Sequence, residues 1–159
     1  MTGYEKTVSD VDNLGIDVIE TSLEANDGLY CDNTIFINNH IETNAKKYCV
    51  INEELGHYFT TVGDISDQTK LENRKQELIA RRWGYEHTVS LIGLIESFEY
   101  GLKSYFEIAE FLSVTETYLY DCIEDYKKKY GIYVEIEQYC IIFEPNLRIA
   151  KKINFNNMY

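Results

Sequence analysis

The hydrophobic pattern changes period at about residue 40, and this change constrains the fold more than any other feature of the chain. Before it, Ile16-Asp17-Val18-Ile19, Gly28-Leu29-Tyr30-Cys31 and Thr34-Ile35-Phe36-Ile37-Asn38 are β-branched, aromatic or alternating runs that read as strands. Asp32-Asn33 separates the last two. Both residue types tolerate left-handed backbone, so the pair reads as a tight hairpin. After residue 40 the apolar spacing becomes about 3.6. Thr43 or Asn44 then caps a helix over 45–59, and a second helix is expected from about 67 to 85. With a short helix over 4–13, the expectation is an α+β protein whose small three-stranded antiparallel sheet packs on the helix over 45–59.

The C-terminal third carries its own signals. Ser104 caps a helix over 105–112, a break follows at 113–115, and a longer helix over 116–130 is stopped by Gly131. The runs 132–136 and 139–143 flank Glu137-Gln138 as a further hairpin. Helix, turn, helix, hairpin is the outline of a winged helix-turn-helix, so the chain divides into units 1–100 and 101–159.

Charge narrows the function. Fifteen Lys and Arg stand against 27 Asp and Glu, a net charge of −12. A sequence-independent grip on nucleic acid needs basic residues to displace counterions from phosphate, and this balance argues against it. The helix over 116–130 carries Glu116, Asp121, Glu124 and Asp125, which repel a DNA groove and fit a basic protein surface instead. No apolar run approaches the ~20 residues of a membrane span, and the polar start lacks the pattern of a signal peptide. Cys31, Cys49, Cys122 and Cys140 form no CxxC pair and read as reduced thiols of a cytoplasmic protein.

The sharpest local motif is Glu53-Glu54-Leu55-Gly56-His57. Residues i and i+4 share a helix face, so Glu53 and His57 can point at one ion, with Glu54 viewing it from the side. This is the spacing of HExxH, in which two histidines hold zinc and the glutamate is the general base. The bland reading is a solvated acidic face that ends in a histidine. Gly56 adds weight to the sharper one, because glycine costs a helix interior about 1 kcal/mol and admits a second backbone. Glu77 on the next helix offers a third donor; otherwise it is a surface partner of Arg74 or Arg81.

Taken together, the 28–38 hairpin, the run Glu53-Glu54-Leu55-Gly56-His57-Tyr58-Phe59-Thr60-Thr61-Val62-Gly63-Asp64, then Lys75-Gln76-Glu77 and Ala80-Arg81-Arg82-Trp83-Gly84-Tyr85-Glu86, resemble the ImmA/IrrE metallopeptidases. The version closest to it is that of prophages and integrative elements of Gram-positive bacteria. The resemblance covers about 14–100 and implies a zincin-like metal-dependent endopeptidase that cleaves a cognate helix-turn-helix repressor and derepresses a mobile element. It also implies roles: His57 a zinc ligand, Glu54 the general base, and Glu77 the third ligand, with Glu72 and Glu86 the other carboxylates of that helix. Glu53 stands where the family has its first histidine. Carboxylate oxygen ligates zinc, so Glu53, His57 and Glu77 make a three-donor open site. The harder donor set shifts preference toward Mn²⁺ or Mg²⁺. Three neighbouring carboxylates without a cation should repel and raise one another's pKa values.

Further expectations concern the surroundings. The edge of the strand over 34–38 would align an extended substrate, Tyr58 is an oxyanion donor or a core residue, and Trp83 packs under the motif helix. Glu124 and Asp125 would dock a basic repressor surface. The rival reading is a catalytically inactive relative that binds a repressor or host protein through the same surface.

Overall fold

A computed structural model describes residues 1–153 of the chain. Helix α1 (Gly3–Asp12) starts on a capping box, in which Thr2 Oγ1 accepts from the Glu5 amide while Glu5 accepts from the Thr2 amide at 2.7 Å. Strands β1 (Asp17–Thr21), β2 (Gly28–Cys31) and β3 (Thr34–Asn38) follow. Asp32 and Asn33 take φ of 47° and 55°, the left-handed pair that a two-residue hairpin between β2 and β3 requires.

The sheet is mixed, not antiparallel throughout. Its order is β1-β3-β2, and β1 runs parallel to β3. The physical reason is the short connection over 22–27. It reverses the chain, so β1 opposes β2; β2 opposes β3 across the hairpin, and β1 and β3 therefore share a direction. Asn38 fastens that connection, its side-chain amide donating to the carbonyls of Leu23 and Asn26 at 2.8 and 3.0 Å.

Helix α2 (Asn44–Thr60) is capped by Thr43, whose Oγ1 accepts from the Lys46 amide. Its Val50, Ile51 and Leu55 pack with Tyr4, Val11, Ile16, Ile35 and Ile37 into a first core between helix and sheet. Helix α3 (Leu71–Thr88) begins four residues later than expected. Asp67 Oδ1 accepts from both the amide and hydroxyl of Thr69, which holds 67–70 as a turn instead of a first helical turn. The two helices cross almost backbone to backbone. A Cβ on Gly56 would collide with the Ala80 carbonyl, and one on Gly84 would sit 3.2 Å from the Asn52 oxygen.

The remainder is α4 (Leu91–Glu99), α5 (Tyr105–Leu112), α6 (Glu116–Tyr130), β4 (Tyr133–Ile136), β5 (Tyr139–Ile142) and β6 (Arg148–Lys151). The three strands form an antiparallel sheet in chain order. Both α4 and β6 are additions to the expected elements. The second core gathers Tyr85, Val89, Leu94, Ile108, Leu119, Ile123, Tyr126, Ile141 and Phe143. Cys49 of α2 belongs to it, so α2 contributes to both cores. The architecture is α+β. No helix among the described residues is long and apolar enough to cross a membrane.

Candidate metal centre

The close crossing at Gly56 and Ala80 lays one flank of α2 beside one flank of α3. His57 and Glu77 meet there, with Nε2 to Oε2 at 3.3 Å. The other ring nitrogen, Nδ1, lies 3.0 Å from Thr61 Oγ1. Thr61 thus steadies the ring from behind while Nε2 faces Glu77, the kind of outer support that ligating histidines need. The other carboxylates of α3 are turned elsewhere. Glu72 is largely exposed with Lys75 as its partner, and Glu86 pairs with Lys129 at 2.5 Å.

Glu53 is on the same flank but does not join His57. Arg81 comes between: its Nε lies 3.5 Å from Glu53 Oε1 and its Nη2 3.6 Å from Glu77 Oε1. Two donors therefore meet, and the third is engaged by a guanidinium. Among the described residues no three His, Cys, Asp or Glu side chains are gathered to hold an ion outright. The donor chemistry of His57 and Glu77, with the ring held from behind by Thr61, suits a divalent cation. Completing a three-donor set requires Glu53 to exchange Arg81 for the ion.

Glu54 lies beneath β2, close enough to His57, Glu53 and Glu77 for their charges to act on it. Only 9% of it is exposed, and a Cβ on Gly28 would approach its Oε1 to 2.9 Å. Gly28 is thus the residue that leaves room for the carboxyl under the strand. Burial pushes the Glu54 pKa up to about 7; the nearby His57 opposes this, and the charges of Glu53 and Glu77 add to it. For His57, burial acts downward, but the hydrogen bond to Glu77 and the charges of Glu54, Glu77 and Glu53 outweigh it and raise the pKa. Glu77 moves opposite to the mutual-repulsion expectation. Its hydrogen bond with His57, helped by the charges of His57 and Arg81, holds its pKa below the usual value against the effect of burial. The repulsion argument missed these cations because it considered the carboxylates alone.

The family comparison bears on this geometry. The family model for the IrrE N-terminal-like domain, Peptidase_M78, matches residues 11–120. The chain belongs to this family. The M78 match spans both sides of the crossing, from α1 into α6, and the family implies a metallopeptidase type of activity with a metal cofactor. Searches of curated proteins and of solved structures return no match.

Within this M78 domain several surrounding assignments change. Strand β3 is the central strand, paired on both sides, so it offers no edge to a substrate. The free edge beside α2 is that of β2. Cys31 and Thr34 close the hairpin, and the Asn38 amide bonds to the Asp27 carbonyl. The alternation between these points leaves the main-chain groups of Gly28 and Tyr30 facing outward, where Glu54 accepts from the Tyr30 amide. Asp125 is not free to dock a partner, because it is buried and accepts from Arg82 Nε at 3.0 Å. Tyr58 stands edge-on to Tyr30 and Phe59, a packing arrangement, and Trp83 is stacked between Phe59 and His87. His40 pairs with Asp27. The residues that motif reading missed are Thr61, four positions after His57, and the bridging role of Arg81, of which only the spacing to Glu77 was visible in sequence.

Proposed function

We propose that this chain is a divalent-metal-dependent endopeptidase, zincin-like in the packing of its sheet on α2, which cuts a cognate helix-turn-helix repressor and so derepresses a mobile element. The observation that carries the reading is the meeting of His57 and Glu77 across the helix crossing, with the buried carboxyl of Glu54 three residues before His57 on α2. His57, Glu77 and Glu53 would hold the ion, Zn²⁺ or, given two carboxylates, Mn²⁺. When bound, the ion supplies a Lewis acid for the scissile carbonyl.

The other roles fall to the chain. Glu54, with its pKa pushed up to about 7, is matched to taking a proton from the attacking water and handing it to the leaving amine near neutral pH. The outward groups of Gly28 and the outward carbonyl of Tyr30 on β2 would pair with an extended substrate strand and lay it along Glu54, which itself accepts from the Tyr30 amide. The net charge of −12 favours approach of a basic repressor surface. The helices α5 and α6 with the β4-β5-β6 sheet form a winged-helix-like module that serves docking, not DNA reading.

The test is a cleavage assay on a candidate cognate helix-turn-helix repressor, with Zn²⁺ or Mn²⁺ added and Glu54→Gln as control. Metal-dependent cleavage that disappears in Glu54→Gln is the expected result. The engagement of Glu53 and Glu77 by Arg81 favours a second reading, an inactive relative that binds the repressor. Tight repressor binding without cleavage under any metal would establish that reading instead.

A further inference from the structure

We propose that Arg81 is a built-in counter-cation, a latch that occupies the carboxylates of the metal centre and must be displaced before a divalent ion gains its third donor. The inference rests on the metal reading of the site. Arg81 spans two helices: it meets Glu77 one turn back on α3 and Glu53 across the crossing on α2. It uses Oε1 of Glu77, whereas Oε2 of the same carboxylate faces His57. The His57–Glu77 pair is therefore left intact, and Glu53 is the donor withheld.

The latch is loose by construction. Separations of 3.5 and 3.6 Å are longer than charge-assisted hydrogen bonds, and Arg81 is 45% exposed. Such a pair holds a carboxylate against water but yields to a divalent ion, whose charge is doubled and whose bonds to oxygen are shorter. The structure also provides room for the guanidinium once it leaves. Arg81 lines a cleft of about 310 Å3 between α3 and α6, together with Tyr85, Asp121, Glu124 and Lys128. Glu124 is taken by Lys127 and Asp125 by Arg82, and no ion pair engages Asp121 among the described residues. Asp121 is the carboxylate placed to receive Arg81 in its withdrawn position.

The experiment is a titration of full-length protein with Mn²⁺ and Zn²⁺ against a chelating fluorophore, using wild type, Arg81→Gln, Glu53→Gln and the double variant, each checked for fold by circular dichroism. Releasing a partly exposed ion pair should tighten metal binding by roughly five- to tenfold in Arg81→Gln. General electrostatics alone would also tighten it, so the double-mutant cycle decides. Glu53→Gln should change affinity less than about threefold in wild type, where losing the donor also loosens the latch, and weaken it at least about tenfold in the Arg81→Gln background. Arg81→Lys, which keeps the charge, should bind metal less tightly than Arg81→Gln. Additive effects, or equal affinity of wild type and Arg81→Gln, would overturn the latch and leave the metal reading standing. Failure of all four proteins to bind either ion would overturn both.

Discussion

At Glu54 the proposed role and the surroundings conflict: the general base we propose must be ionised, yet the carboxyl sits almost wholly out of water. Its folded pKa of about 7 lies above the ordinary value of 4.5. The raised value favours folding while the group is protonated, so this contribution is complete below about pH 4.5 and is lost as pH rises through about 7. The raised pKa of His57 has the same sign, whereas the lowered pKa of Glu77 stabilises above its unfolded value and is lost in acid. With chelator present, Glu54→Gln should therefore match wild type near pH 4 and exceed it by about 3 kcal/mol near pH 8. Urea unfolding at the two pH values measures this, and a pH-independent difference would sink it. At Gly56 the argument is steric. Gly56→Ala drives a methyl into the Ala80 carbonyl, which neither helix backbone can avoid without parting, and should cost at least about 2 kcal/mol in the same assay.

Between elements, the Arg82–Asp125 pair joins α3 to α6 with unequal burial: the Asp125 side chain is 8% exposed and that of Arg82 35%. Removing either partner is then not equivalent. Arg82→Gln strands a buried carboxylate and should cost about 3 kcal/mol, whereas Asp125→Asn frees an arginine that reaches water and should cost about 1 kcal/mol. Chemical denaturation of the two variants checks the order, and equal losses would contradict it. The elements also show which signals are local. The β2–β3 hairpin and the caps at Thr43 and Ser104 were legible, because each is written within four residues, whereas Thr115, read only as part of a break, caps α6. The parallel pairing of β1 with β3 was not, because strand order depends on where a six-residue connection sends the chain. Helix α4 escaped notice because it is only nine residues long and opens on the unbroken apolar run Leu91-Ile92-Gly93-Leu94-Ile95, and β6 because it is four residues with charges at both ends. In the candidate site, Glu53, Glu54, His57 and Glu77 were visible as motif spacing. The hold of Arg81 on Glu53 was not, because it exists only through the register of one helix on another.

For the whole molecule the decisive arrangement is that α2 serves two cores. Val50, Ile51 and Leu55 face the N-terminal sheet, while Cys49 lies with Val89, Leu94, Ile108 and Leu119. A fragment ending at residue 100 keeps Tyr85, Val89 and Leu94 but loses the residues that cover them, so it should lack a cooperative thermal transition by circular dichroism. A sharp transition in that fragment would show the first unit to be self-sufficient. One consequence reaches beyond stability. Because α2 and α3 touch through Gly56 and Ala80 with no side chain between them, the distance between the donors is gauged by main chain alone. Position and identity of the donors are thereby decoupled: a carboxylate can stand at residue 53 without moving residues 57 and 77. On the proposed metal reading, a change of side chain at residue 53 alters the donor and leaves the spacing, whereas any side chain at residue 56 meets the Ala80 carbonyl and alters the spacing itself.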